Sequence, residues 1–106
     1  MGESPHLDIA TSIDGTTARV VLAGELDLDG VESVTNALTG LARDGATTVL
    51  VDASGLTFLD SSGLRALLSG RQALGDVDVP LIIEHASPAV ERVLEITGTR
   101  ALLLPS

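Results

Sequence analysis

The chain has 106 residues, a net charge of −9 from 15 acidic and six basic residues, and no cysteine. The missing cysteines exclude disulfides and thiolate metal sites, and the acidity argues against nucleic acid or an anionic membrane surface as a partner. This length predicts a single domain, 1–106 with a core from about residue 7 to residue 104, and a composition with one Phe, no Trp and no Tyr predicts an aliphatic core.

The N-terminal segment predicts a β-hairpin. Leu7 to Ile13 alternates apolar and polar residues, which is typical of a half-buried strand. Asp14-Gly15 is a tight-turn signal, and Ala18 to Gly24 is the natural second strand.

An amphipathic helix is predicted next. The acidic and glycine-containing segment 24–30 interrupts the second strand, and apolar residues then recur in steps of three and four up to a stop near Asp44-Gly45. Asp27 and Asp29 stand just before this helix, where negative charge complements the helix dipole.

The central stretch predicts a strand, a loop and a second helix. Thr47 to Asp52 is an almost continuous apolar run, as expected of a strand covered on both faces. A Ser/Gly/Thr loop follows, and Asp60-Ser61-Ser62-Gly63 then opens a helix that runs from about Ser61 through Leu74 to Gly75.

The last third predicts a strand, a helix and a final strand. Val79 to Glu84 is predicted as a strand, because a proline such as Pro80 is tolerated at the beginning of a strand. Ser87-Pro88 is a helix N-cap and first-turn pair, and Gly98 is the helix stop. Ala101 to Leu104 is predicted as a short closing strand.

This order of elements predicts an α/β fold with a mixed, mostly parallel sheet of about five strands and three or more helices. Four strands should be parallel and the first antiparallel to its neighbour. Sites in such sheets gather beyond the carboxyl ends of the strands, where Asp27, Asp60, Ser61, Ser62 and His85 are expected.

Asp60-Ser61-Ser62-Gly63 permits two interpretations. Asp and Ser both cap helices, so the quartet can be purely structural. One cap needs only one side chain, however, which leaves a hydroxyl exposed. Phosphorylation of that hydroxyl would add a charge of about −1.5 to −2, which a partner shaped for a neutral hydroxyl would reject.

Enzymatic alternatives are weaker. Asp27, Ser61 and His85 could imitate a hydrolase triad, but the Gly-x-Ser-x-Gly pattern is absent. Asp27, Asp52 and Asp60 could form a phosphate-accepting magnesium pocket, but such receivers use a lysine and the chain has none. A nucleotide-type glycine loop and a histidine cluster are also missing, so no cofactor, metal or enzymatic activity is predicted.

Three segments together resemble the STAS domains of bacterial anti-sigma-factor antagonists. They are Gly24-Glu25-Leu26-Asp27, Phe58-Leu59-Asp60-Ser61-Ser62-Gly63-Leu64, and Ser87-Pro88-Ala89-Val90 leading to Leu94 and Gly98. The resemblance covers the chain from about Leu7 to Leu104.

The resemblance implies partner switching. An unphosphorylated antagonist binds an anti-sigma factor that is a serine kinase and thereby frees a sigma factor; phosphorylation releases the antagonist, and a serine phosphatase resets it. Ser61 matches the family's phospho-acceptor and Asp27 its nearby aspartate. The implied partner-binding residues are Asp27, Asp60, Ser61, Ser62, Gly63 and Leu64.

Related STAS domains also serve as scaffolds in stress-signalling assemblies or as accessory subunits of lipid transporters, and these remain alternatives. The N-terminus lacks the basic and apolar regions of a signal peptide, and no apolar run approaches a membrane helix in length. A cytoplasmic protein without direct membrane insertion is therefore expected.

Overall fold

The computed structural model describes residues 6–104. Within this range the strands are β1 (Leu7–Asp14), β2 (Thr17–Leu26), β3 (Thr48–Leu59) and β4 (Leu81–Ala86). The helices are α1 (Val31–Arg43), α2 (Ser61–Gly75), α3 (Pro88–Thr97) and α4 (Arg100–Leu103), and a 3-10 turn at Leu28–Gly30 precedes α1. None of these helices is long and apolar enough to cross a membrane.

The strands form one sheet in the order β1-β2-β3-β4. β1 is antiparallel to β2 because a tight turn joins them, with Gly15 in the left-handed region at φ 66°. β2, β3 and β4 are parallel because α1 and α2 carry the chain back between them. As a result β2 and β3 end side by side, with Leu26 in register with Leu59.

One face of the sheet is buried. Alternate residues of β2, namely Ala18, Val20 and Leu22, are at most 1% exposed and belong to a single apolar core. The opposite face is partly open, since Val21 is 41% exposed and Arg19 forms a 3.1 Å ion pair there with Glu84. The helices therefore lie against a sheet with one apolar and one mixed face.

The predicted hairpin and the helix ends at Gly75 and Gly98 are confirmed. The described sheet has three parallel strands, β2, β3 and β4, and not the four that were predicted. Ser87 caps α3 by accepting a 3.2 Å hydrogen bond from the Val90 amide, and Pro88 occupies the first turn. Gly98 ends α3 at φ 72°, in the left-handed region that glycine reaches without steric cost.

The prediction of about five strands is wrong, because the described sheet has four. The error lies at Ala101–Leu104: Arg100–Leu103 is a helical turn with Leu103 buried at 1% exposure. The amide of Leu104 donates a 2.9 Å hydrogen bond to the Arg100 carbonyl, so this segment bonds within itself and not to a strand. A four-residue apolar run has no periodicity that could separate the two outcomes.

The predicted loop after Asp52 is also wrong, since β3 continues to Leu59. The register with β2 shifts between the Val21–Asp52 and Ala23–Gly55 pairs, so β3 takes up an extra residue there and resumes pairing. Ser54 and Gly55 resembled a loop because they form this irregularity.

β4 begins after Pro80, later than predicted, and extends to Ala86. His85 therefore lies inside the strand, and the prediction that it follows the strand end is wrong. In the sheet His85 is in register with Asp52, well before the end of β3.

Candidate functional site

The candidate site lies where β2 and β3 end and α2 begins. Leu26 and Leu59, the last residues of the two strands, are buried at 0% and 5% exposure. The chain leaves β3 through Asp60, whose amide donates a 3.3 Å hydrogen bond to the Leu26 carbonyl. This bond attaches the start of α2 to the neighbouring strand.

Asp60 is the N-cap of α2. Its backbone is extended, and its Oδ1 accepts a 2.8 Å hydrogen bond from the Gly63 amide. Its carbonyl accepts a 2.9 Å hydrogen bond from the Leu64 amide, the first bond of the helix. The predicted capping role of this aspartate is thus observed, and it requires only one side chain of the quartet.

Gly63 lets α2 approach the strands closely. A Cβ at this position would lie 2.7 Å from the Leu26 carbonyl oxygen and 2.8 Å from Leu59 Cδ1. Because the nearest obstacle is backbone, a side chain would push the helix away from the sheet. Leu64 follows as a core residue with 6% exposure. Gly63 and Leu64 therefore hold α2 on its buried side, against the strands.

The two serines differ in exposure. Ser61 is exposed, whereas Ser62 is half-buried. Neither hydroxyl forms a hydrogen bond with any residue between 6 and 104. Ser61 therefore presents a free hydroxyl on the first turn of the helix.

Asp27 occupies the corresponding position after β2. Its Oδ1 accepts a 3.1 Å hydrogen bond from the Asp29 amide and so caps the 3-10 turn before α1. Because Leu26 and Leu59 are neighbours, Asp27 and Asp60 leave the sheet at the same edge. Asp27, Asp60 and the two serines thus follow the carboxyl ends of β2 and β3, whereas His85, which was expected at the same edge, lies within β4.

Two exposed apolar residues lie within two positions of the capping aspartates in the chain. Leu28 is 71% exposed and Phe58, just before the end of β3, is 46% exposed. The sequence analysis missed both as candidate contact residues. A lone leucine between Asp27 and Asp29 was the available signal for Leu28; Phe58 had none, because the irregular register of β3 breaks the alternation that would show its orientation.

A groove of about 250 Å³ lies between the 3-10 turn with α1 and the first turns of α2. Its lining residues are Leu28, Val31, Thr35, Ser62, Arg65, Ala66 and Ser69. We call it the α1–α2 groove. It places the half-buried Ser62 and the exposed Leu28 on one continuous surface beside Ser61.

Asp52 and His85 lie elsewhere. Ser54 Oγ and the Ser54 amide donate hydrogen bonds of 2.6 and 2.9 Å to Asp52 Oδ1, and they hold the pKa of this carboxyl below its usual value. Asp52 therefore stabilises the irregular segment of β3. The supposed triad of Asp27, Ser61 and His85 is not assembled, because His85 lies on β4 in register with Asp52, seven residues before the end of β3.

Within residues 6–104 no group of three or more acidic or histidine side chains is placed to hold a metal ion. Next to Ser61 on the first turns of α2 lie the capping carboxylate of Asp60, the Ser62 hydroxyl and, four residues on, the exposed Arg65. The exposed Ser61 hydroxyl is accessible to another molecule.

Comparison with known proteins agrees with this description. The family model described as "Mlab, STAS domain" matches residues 9–105. The anti-sigma-B factor antagonist of Staphylococcus aureus (strain NCTC 8325 / PS 47) is 31% identical over 98 residues, which cover 92% of this chain and 91% of that protein. The chain belongs to the STAS-domain family of anti-sigma-factor antagonists.

Solved structures show the same fold. An anti-sigma factor antagonist from Mycobacterium paratuberculosis superposes with a TM-score of 0.81 at 23% identity, covering 97% of this chain and 90% of that one. The antagonist SpoIIAA in its unphosphorylated form gives 0.75 at 24% identity, with 93% and 88% covered. SpoIIAA of Bacillus in the phosphorylated form gives 0.67 at 23% identity, with 93% and 91% covered.

The close approach at Gly63 can be tested against a second helical glycine. Gly63→Ala should lower the free energy of unfolding by about 1–3 kcal/mol, because the added methyl meets the Leu26 carbonyl. Gly40→Ala in α1 should raise it by up to about 1 kcal/mol, since nothing lies within 4 Å of its Cβ and alanine favours the helix. Urea denaturation measures both; equal stability of the two variants would contradict the tight seating of α2.

Proposed function

We propose that this protein is an anti-sigma-factor antagonist that works by partner switching. Its unphosphorylated form binds an anti-sigma factor serine kinase in the cytoplasm and frees a sigma factor. Phosphorylation of Ser61 ends this binding, and a serine phosphatase restores it. The single observation that carries the proposal is the exposed, unbonded Ser61 hydroxyl on the first turn of α2.

Ser61 is a better phospho-acceptor than Ser62 because a kinase must reach the hydroxyl oxygen from outside. Ser61 is exposed, while Ser62 is half-buried on the wall of the α1–α2 groove. Ser87, the other serine at a helix start, is 6% exposed and its hydroxyl already accepts a hydrogen bond from the Val90 amide. Accessibility therefore selects Ser61 among the three.

A phosphate on Ser61 can change binding without unfolding the domain. It would add a charge of about −1.5 to −2 at a helix N-terminus, where the helix dipole favours negative charge. For a partner whose surface fits a neutral hydroxyl, the same charge brings a desolvation cost and an added bulk that the contact cannot accommodate. The switch thus acts on the complex and spares the fold.

The surroundings of Ser61 suit a protein partner. Leu28 and Phe58 offer apolar area that a partner can cover. Asp27 fixes the backbone of the 3-10 turn, and Asp60 fixes the backbone of the first turn of α2. The net charge of −9 favours a partner with a basic patch. Gly63 and Leu64 contribute from beneath the surface by holding α2 against the strands.

The relatives support the same interpretation. The S. aureus relative is an anti-sigma-B factor antagonist, and SpoIIAA has been observed in both an unphosphorylated and a phosphorylated form. A phosphorylated member of this fold is therefore a precedent for a phosphate on Ser61.

Phosphorylation can be tested directly. Incubation with its partner kinase and ATP should add one phosphate, and peptide mass spectrometry should locate it on Ser61. Ser61→Ala should abolish incorporation, and Ser62→Ala should leave most of it.

A phosphate on Ser62 or Ser87, or no phosphate on any serine, would contradict the assignment of Ser61 as the phospho-acceptor. A stable large assembly without phosphate would favour the scaffold or transporter-subunit alternative. Labelling of Ser61 by an activated-serine probe, lost in His85→Ala, would favour a hydrolase.

The apolar contact area makes a second prediction. Leu28→Ser and Phe58→Ser should each weaken binding of the anti-sigma factor about tenfold, because each removes apolar area from the contact. Ile96→Ser is the matched control, since Ile96 is 76% exposed but lies on α3; it should change affinity less than twofold. Calorimetric titration measures all three. If Ile96→Ser weakened binding as much as Leu28→Ser and Phe58→Ser, this placement of the contact would be refuted.

A further inference from the structure

Arg65 is an exposed cation close to Ser61 that forms no hydrogen bond or ion pair with another side chain in the described range, 6–104. It lies on α2, and its side chain lines the α1–α2 groove together with Ser62. Among residues 6–104 the arginines that form ion pairs are Arg19, with Glu84, and Arg100, with Glu91, so no ion pair within this range involves Arg65. Its guanidinium is therefore free to take a new partner.

The helix places Arg65 within reach of Ser61. The two residues are four apart on α2, so they are neighbours on one side of the helix, with Cβ atoms about 5–6 Å apart. Side chains on a helix lean toward its N-terminus, which directs the Arg65 side chain toward the first turn. An acid that precedes a base by four residues is also the more favourable order of an ion pair on a helix.

The other charges near the first turn are negative. Asp60 caps the helix and Asp27 and Asp29 lie at the same edge of the sheet, so a phosphate on Ser61 would enter an acidic neighbourhood. Arg65 is the arginine of the first two turns of α2, with Arg71 further along the same helix. A guanidinium can donate two parallel hydrogen bonds to a phosphate, a geometry that no lysine offers.

We propose that Arg65 is the internal partner of a phosphate on Ser61. The inference rests on the proposed function, in which Ser61 is the phospho-acceptor. Pairing would hold the phosphate against α2 and draw the guanidinium toward the first turn and away from the α1–α2 groove that Arg65 lines. Phosphorylation would thereby change the α1–α2 groove as well as the Ser61 hydroxyl, and the released state would be stabilised within the chain itself.

The test uses full-length protein produced with phosphoserine genetically placed at position 61, so it needs no kinase. The pH titration of the phosphate is followed by 31P NMR. Arg65→Gln should raise the midpoint by about 0.3 pH units or more, because the dianion loses its cation. Arg65→Lys keeps the charge and should return the midpoint toward that of the unsubstituted protein.

Arg71→Gln on the same helix is the control and should leave the midpoint unchanged. The difference caused by Arg65→Gln should shrink in 1 M NaCl, since salt screens an exposed charge pair. The pairing would be overturned if the unsubstituted protein and Arg65→Gln had equal midpoints, or if Arg71→Gln raised the midpoint as much as Arg65→Gln. It would also be overturned if the difference were the same in 1 M NaCl. Failure of the kinase to modify Ser61 would instead overturn the proposed function, and the two failures are measured separately.

Discussion

The structure depends on how the first turn of α2 is fixed to the ends of two strands. The Asp60 amide bonds to the Leu26 carbonyl, its carboxylate caps the helix at Gly63, and the absence of a side chain at Gly63 lets the helix lie against the backbone of β2. Because these contacts leave Asp60 little freedom, the next residue is presented in a defined position. Ser61 is that residue, and it is exposed to solvent.

This arrangement separates support from recognition. The buried Gly63 and Leu64 hold the helix, the two aspartates cap the turns, and Ser61 is left without a structural task. A hydroxyl that stabilises nothing can be modified without destabilising the fold. This suits the function proposed above, in which the active site of a partner kinase modifies Ser61.

Local signals predicted much of this from the sequence. Helix caps at Asp60 and Ser87 and the stop at Gly98 depend on neighbouring residues in the chain, so pattern alone located them. The errors arose where tertiary pairing decides: Ser54-Gly55 continues β3 through a register shift, and Ala101–Leu104 packs as a helical turn.

The surface around the serine was harder to predict than the serine itself. Leu28 lies in the 3-10 turn and Phe58 near the end of β3, so their exposure depends on how two separate elements pack. Arg65 was visible in the sequence, but its place beside Ser62 required the groove between α1 and α2. A sequence pattern can identify a candidate phosphorylation site, whereas the surface of the chain around that site follows from the fold.

In the proposed function, a phosphate on Ser61 separates the protein from its anti-sigma factor. The most direct measurement is a calorimetric comparison of that partner's affinity for the unmodified protein and for protein carrying phosphoserine at position 61, with circular dichroism to confirm that both are folded. We expect the phosphorylated form to bind at least about tenfold more weakly, because it buries an extra charge of about −1.5 to −2. Equal affinities of two equally folded forms would contradict the account.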